Sequence, residues 1–309
     1  MKKGPWNIAI VGPGKVGLVL GQALRKRGEN ISAVISRHRR SSREGAAYLR
    51  CKTYGTTLDL IPPETDVVLI TVPHGAVEET AWKLARVAHL RFSKLAVCHA
   101  SGMLTSAALA PVAKRGSIVV SFHPLQTFPR DFEPEDILPT LPGIWYGIDG
   151  NARGRRFAAS LARRLGGKTV DIPPQLREFY HAACVVASNH LTALLGVLDE
   201  MHSVLRVKRP GFLALFRPIV ETTMRNVADT SPTRALSGPV ARGGTATIAR
   251  HLESIRMFSP VLLPYYAAMT LATVRVALAK GSIDKRKAEE FRGLVEVYHK
   301  SNITLDHKR

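Results

Sequence analysis

Apolar and polar positions fall into two regimes along the chain. Up to residue 172 short apolar runs alternate with amphipathic stretches, and beyond it only helical spacing remains. Runs at 8–11, 31–36, 66–74, 95–99, 118–122, 144–148 and 168–172 read as strands, being rich in β-preferring residues and bounded by turn formers. The run at 66–74 is continuously apolar, which suits a strand buried on both faces. Between these runs, helical spacing opens at about Val16 and returns at 41–49, 77–88 and 152–165, while 129–142 is a proline- and acid-rich loop. Two prolines at 173–174 end the alternation, so the pattern predicts a first domain over residues 1–172 and a second over 173–309. In the second, 175–206 reads as one long, mostly apolar helix. Further helices are expected at 210–227 (with Pro218 as a kink), 245–256, 260–280 and 283–300, and a loop at 231–244. The fold class this predicts is α/β, a Rossmann-type doubly wound sheet followed by an all-α domain.

The first apolar run leads straight into glycines with G-x-G-x-x-G spacing, IAIVGPGKVG at 8–17. Gly12 permits a tight turn, Gly14 lets the backbone approach a pyrophosphate, and Gly17 lets the helix pack on the strand. Gly12, Pro13, Gly14, Lys15, Val16 and Gly17 are therefore the expected phosphate cradle, with helix amides and dipole favouring the anion. A tight turn that binds nothing is the alternative. At the end of the second strand, where an NAD enzyme carries Asp or Glu, stand Ser36 and Arg37, followed by His38, Arg39 and Arg40. A hydroxyl and guanidinium groups suit a 2′-phosphate, which favours NADP; a solvated basic loop is the bland reading. Ligands bind outside the carboxyl ends of such strands, so Thr71, Val72, Pro73, His74, His99, Ser101 and His123 should border the cofactor or substrate. Either of those last two histidines can equally be a structural hydrogen-bonding residue.

Composition changes this picture little, and charge somewhat more. Hydrophobic residues make up 45% and charged ones 22%, ordinary for a globular chain. A formal charge of +20 raises nucleic acid as a partner. The basic residues are dispersed, however, and with aromatics at only 6% no stacking platform is expected. An anionic cofactor and an anionic small-molecule substrate account better for the charge. Three cysteines, Cys51, Cys98 and Cys184, are far apart and odd in number, so neither a disulfide framework nor a metal site is expected. No apolar run reads as long enough for a membrane span, and the N-terminus passes directly into the first strand. A cytoplasmic protein without a membrane or nucleic-acid partner is the expectation.

Groups that finish a reaction are expected on the long helix. At 100° per residue Arg177, His181, Ser188 and Thr192 fall on one stripe, with Asn189 beside it. His181 can give a proton to a carbonyl oxygen, Asn189 can hold that oxygen with Ser188 nearby, and Arg177 can face an anionic substrate. An internal hydrogen-bonded seam is the alternative. In SGPVARGGT at 237–245, Arg242 can clamp a substrate carboxylate, unless the segment is only a turn capped by Thr245. A helical domain this apolar is expected to form a homodimer.

The segments VGPGKVG at 11–17, HASG at 99–102, SFHPLQTF at 121–128, YHAA at 180–183, ASN at 187–189 and SGPVARG at 237–243 together resemble a family. It joins a Rossmann-like NADP domain to a helical domain of unknown function, number 2520, and its members are predicted oxidoreductases. The architecture looks like that of ketopantoate reductase, 6-phosphogluconate dehydrogenase and pyrroline-carboxylate reductase. The resemblance implies reduction of a small carbonyl or imine by NADPH in a cleft between the domains, with a 2-oxo acid such as ketopantoate the leading substrate. A non-catalytic NADP-binding regulator is the other reading. Three positions depart from the relatives: Arg177 and His181 stand where ketopantoate and hydroxyacid enzymes use Lys and Asn, and Gly244 stands where the family has Asp.

Overall fold

Strand β1 (Asn7–Val11) turns Ile8 and Ile10 to one side and Ala9 and Val11 to the other, and all four are buried. That period of two, repeated in neighbouring strands, forces a sheet covered on both faces. The computed structural model describes residues 4–207 and 209–303. After β1 come α1 (Lys15–Lys26), β2 (Asn30–Ile35), α2 (Arg39–Leu49), β3 (Tyr54–Gly55), β4 (Val67–Ile70) and α3 (Val77–Ala85). There follow β5 (Ala96–His99), α4 (Ala110–Ala113), β6 (Ile118–Pro124), α5 (Pro134–Ile137), β7 (Trp145–Asp149), α6 (Ala152–Leu165) and β8 (Lys168–Asp171). The eight strands lie in the order β3-β2-β1-β4-β5-β6-β7-β8. Every pairing is parallel except β6 with β7. This is the doubly wound sheet that the pattern predicts, with its switch point between β1 and β4.

Each face has its own core. Ile8, Ile10, Leu20, Leu24, Leu49, Phe157 and Leu161 pack on one side, and Val68, Ile70, Ala81, Leu84 and Leu109 on the other. The acid-rich loop is not wholly irregular: it carries α5, whose capping box pairs Glu133 with Asp136.

The pattern-based boundary after residue 172 falls short of the one in the structure, where the first compact unit runs to Asn189 and the second begins at His190. Helix α7 (Arg177–Val185) explains the difference, because Arg177 is hydrogen-bonded into the sheet and belongs to it. The single long helix also needs correction. A π-turn, Val186–His190, separates α7 from α8 (Leu191–Val204). A π-turn holds more residues per turn than an α-turn, so a stripe counted at 100° does not continue through it. Ser188 and Asn189 lie inside the turn and Thr192 beyond it.

In the second unit α9 (Phe212–Asp229), α10 (Pro232–Ala235), α11 (Thr245–Phe258), α12 (Leu263–Lys280) and α13 (Lys285–Ile303) follow α8. Ile248, Leu252, Leu263, Val274, Phe291 and Val295 make a core from α11, α12 and α13. Helix α9 continues through Pro218 and buries no residue. Two stretches, Pro174–Val204 and Pro260–Lys280, are long and apolar enough to cross a membrane by length and composition, with mean hydropathy 1.4 and 1.5. That corrects the sequence reading, which looked for unbroken apolar runs. The run from 179 to 198 carries no formal charge and is interrupted only by His181, Ser188, Asn189, His190 and Thr192 among polar residues.

Candidate functional site

The glycine turn is built as its spacing requires. A Cβ on Gly12, which sits at φ +93°, would lie 2.8 Å from the Val72 backbone nitrogen. A Cβ on Gly17 would lie 2.6 Å from the Gly12 carbonyl oxygen. Gly14 differs: a Cβ there would meet nothing within 4 Å. Two glycines are thus demanded by packing, and the middle one faces open space at the head of α1, as Gly14 is its N-cap. The Thr71 hydroxyl donates to the Gly12 carbonyl at 2.6 Å, so this residue, expected at the cofactor, pins the turn from below.

A cavity of about 300 Å³ adjoins the turn, lined among others by Gly12, Pro13, Gly14, Ser36, Arg37 and Lys83. Thr71, Val72 and Pro73 line it as well. Sequence reasoning missed Lys83, which pairs with Glu79 at 2.6 Å. Of the neighbouring cations, Arg40 is held by Glu44 at 2.7 Å on the exposed face of α2. Lys15 turns away, its Nζ donating to the Phe132 carbonyl in the acid-rich loop. His74 is exposed in the 3-10 turn after β4.

Further along the same sheet edge, at the ends of β5 and β6, stands a second cluster. At an inter-strand spacing of ~4.8 Å, β6 lies roughly 10–15 Å from the β1–β4 switch point. His99 ends β5 and is 1% exposed. Its Nε2 donates to the Thr105 carbonyl at 3.0 Å and its Nδ1 accepts from the Ser101 amide at 3.2 Å. Burial pushes its pKa down to about 4, the carbonyl of Thr105 opposing that shift. Both ring nitrogens are occupied, so His99, expected at the cofactor, instead shapes the turn that follows β5. Ser101 acts similarly: its Oγ accepts from the Met103 and Leu104 amides.

Arg177 likewise departs from its expected substrate role. It is 1% exposed, and its guanidinium donates to the Ser121 hydroxyl at 2.6 Å, the Ser101 carbonyl at 3.1 Å and the Gly147 carbonyl at 3.3 Å. Asp149, equally buried, lies 3.9 Å away and accepts from the Ser106 amide at 2.8 Å. One cation therefore ties β6, β7 and the turn after β5 to the first turn of α7. Burial pulls its pKa below the usual guanidinium range, and Asp149 counters that pull.

His123 and His181 do come together. Their ring centroids lie 6.1 Å apart, and the His123 Nδ1 is 2.8 Å from the Tyr180 hydroxyl. Gly102 makes the approach possible, since a Cβ there would lie 2.9 Å from His123 Nε2 and closer still to the His181 ring. Burial first, then the Arg177 charge, pushes the His123 pKa down to about 4. Tyr180 was not among the expected site residues. The available signal was Gly147, a glycine inside a strand, which marks close approach by another group. Asn189 is exposed and, at ~1.5 Å rise per residue, roughly 12 Å along the helix from His181; Ser188 is about 10 Å away. The structure does not gather those two with the histidines. Arg242 is exposed in a 3-10 turn of the second unit, and the N-cap of α11 is Gly244, not Thr245.

A Rossmann-like domain model matches residues 1–124, and a model for a domain of unknown function, DUF2520, matches residues 144–273. No curated protein matches the chain. Among solved structures, a candidate NADP oxidoreductase from Bacteroides fragilis is 21% identical with a TM-score of 0.69, covering 88% of this chain and 98% of its own. A protein from Thermotoga maritima is 22% identical with a TM-score of 0.68, covering 88% and 99%. A reductive aminase from Aspergillus terreus, in complex with NADPH and ethyl-5-oxohexanoate, is 14% identical with a TM-score of 0.58, covering 96% and 95%. Identities this low establish a shared fold. Both domain models match in this order, so the chain joins a Rossmann-like domain to a DUF2520 domain.

Proposed function

We propose that the chain is an NADP-dependent oxidoreductase that reduces a small carbonyl or imine substrate, with a 2-oxo acid such as ketopantoate heading the candidates. The observation that carries this reading is Gly14. Its neighbours Gly12 and Gly17 are glycines because a Cβ would collide, whereas Gly14 leaves the helix terminus open to a close-lying phosphate. Strand order supports the rest. Ser36 and Arg37 directly follow β2 on one side of the turn, and the two imidazoles stand beyond β4 on the other. The structural neighbours' own descriptions, an NADP oxidoreductase and an NADPH-bound reductive aminase, point the same way.

In this reading the amides from Gly12 to Gly17 receive the pyrophosphate, and Ser36, Arg37 and Lys83 receive the 2′-phosphate. Bound NADPH supplies a hydride to the electrophilic carbon. His181 delivers a proton to the adjoining oxygen or nitrogen, and His123 hydrogen-bonds the same atom. Fluorescence titration with NADPH and NADH tests the cofactor, and single-turnover NADPH oxidation with ketopantoate, other 2-oxo acids and a cyclic imine tests the chemistry. Arg37→Ala is expected to weaken NADPH about 10–100-fold, the worth of a hydrogen bond to a charged group, and to leave NADH nearly unchanged. Equal losses for the two would remove Arg37 from the 2′-phosphate.

We further propose that a second copy of this chain covers α8 and α9. An apolar groove of about 400 Å³, lined by Leu194, Leu198, Ile219, Met224 and Met269 among others, lies open in the second unit. Ile219 is 64% exposed and Leu213 65%, on a helix that buries nothing. Light scattering should find a dimer for the native chain and a monomer for Ile219→Asp. A native chain that stays monomeric at high concentration, or that floats with lipid vesicles, would overturn the proposal.

A further inference from the structure

We propose that Tyr180 is a positioning residue that sets the tautomer of His123: its hydroxyl donates to Nδ1, so the ring proton sits on Nε2 and faces the space over Gly102. What Nε2 does there rests on the reductive reading above, namely donating a hydrogen bond to the oxygen or nitrogen of a C=O or C=N group. The tautomer itself rests on geometry alone.

Four observations carry it. The Tyr180 hydroxyl lies 2.8 Å from Nδ1, within hydrogen-bond reach. A phenol can donate or accept; burial and the neighbouring Cys184 push the Tyr180 pKa up, and Arg177, whose guanidinium carbon lies 5.2 Å from the ring centroid, opposes them and favours the donor role. A cation at the ring withdraws electron density from the phenol oxygen, which improves it as a donor and weakens it as an acceptor. Gly147 fixes where the hydroxyl sits, since a Cβ there would lie 2.6 Å from Tyr180 Cζ and closer to the oxygen. Gly102 fixes where the other ring nitrogen sits, as a Cβ there would crowd His123 Nε2 and His181 together.

Two glycines, one on each side, therefore clear the space for one hydroxyl and two imidazoles. The charged and titratable groups facing His123 are Arg177, Tyr180 and His181 from α7 and His99 from β5. Arg177 and Tyr180 are three residues apart on α7 and so share a face, which is how the cation reaches the phenol. A neutral imidazole with its proton on Nε2 donates a hydrogen bond and leaves proton delivery to its neighbour. The tautomer thus divides the work between His123 and His181.

The test is long-range proton–nitrogen correlation on the 15N-labelled full chain, with His123 assigned by the loss of its signals in His123→Asn. Between pH 8 and 5 the native His123 is expected to show a protonated Nε2 and a bare Nδ1. In Tyr180→Phe both tautomers should appear and the protonation midpoint should rise from its low value. A native ring with the proton on Nδ1, or an unchanged pattern in Tyr180→Phe, would overturn the proposal. Should Tyr180→Phe fail to fold, the native spectrum alone still decides. NADPH titration of the same sample keeps the two ideas apart. The expected tautomer in a chain that ignores NADPH would sink the reductive reading and leave the tautomer standing, and the reverse pattern would do the opposite.

Discussion

The two units treat their apolar residues in opposite ways. In the first, β1, β4 and β5 are buried almost throughout, covered by helices on both faces. In the second, the 18 residues of α9 bury nothing, although the helix is apolar at Leu213, Leu215, Ile219 and Met224. The sheet unit covers its apolar strands from within, whereas the helical unit leaves apolar side chains of α9 exposed. Polar burial differs too. The first unit hides Arg177, Asp149 and His99, while the second hides only His202 and Thr270 among its described polar residues. The buried ionisable groups that can prepare chemistry are therefore concentrated on the sheet, and α7 reaches them because it is part of that unit.

The sharpest way to break this contrast is Arg177→Ala. It leaves Asp149 buried without its cation and removes the donor shared by the Ser121 hydroxyl and the Ser101 and Gly147 carbonyls. Removing one partner of a buried ion pair costs about 3–5 kcal/mol. All three tryptophans, Trp6, Trp82 and Trp145, lie in the first unit, so tryptophan fluorescence during denaturation reports on that unit alone. A loss below ~1 kcal/mol would mean that the sheet unit does not depend on its buried cation.

Acid should separate the units with a somewhat smaller effect. His99 is buried neutral, its pKa pushed down from the ordinary 6.5 to about 4. An unfolded chain binds that proton more readily, so the stability held by neutral His99 is complete above pH 6.5. It erodes as the pH falls, and is gone below about 4. The span corresponds to about 3 kcal/mol. His99→Gln, measured by the same fluorescence at several pH values, should be less stable at neutral pH and should flatten the slope between pH 6.5 and 4. An unchanged slope would assign the acid sensitivity elsewhere.

What could be read from the pattern and what could not follow from distance along the chain. Strands β1, β4 and β5 announce themselves by local apolar runs, and the glycine turn by spacing within six residues. His99 and His123 look alike in sequence, each at a strand end, yet one has both nitrogens bound within its own turn and the other faces α7. Their difference depends on contacts 57 residues apart, between His123 and Tyr180, which no local pattern contains. The π-turn was hidden for another reason. Counting at 100° assumes an unbroken α-helix, and the stretch through Val186–His190 carries no glycine or proline to warn otherwise. That assumption places Ser188 on the His181 stripe and Asn189 beside it.

The gentlest test acts on the helical unit. Gly244 is the N-cap of α11 and makes no side-chain capping bond. Its φ of −79° is open to any residue, so the backbone does not require glycine there. The Thr245 and Thr247 amides already bond to the Gly243 and Gly244 carbonyls, so an aspartate would accept from the Ala246 amide, and it places a negative charge at the positive end of the helix. Replacing a glycine cap in this way gains a few tenths of a kcal/mol. The new Cβ would sit 3.2 Å from the Pro239 carbonyl oxygen, which must yield slightly. Gly244→Asp is thus expected to raise the melting temperature of the helical unit by about 1 °C in calorimetry and leave the tryptophan-detected transition where it was. A fall in the helical transition would show that Pro239 holds its place, and that this turn keeps its glycine for want of room.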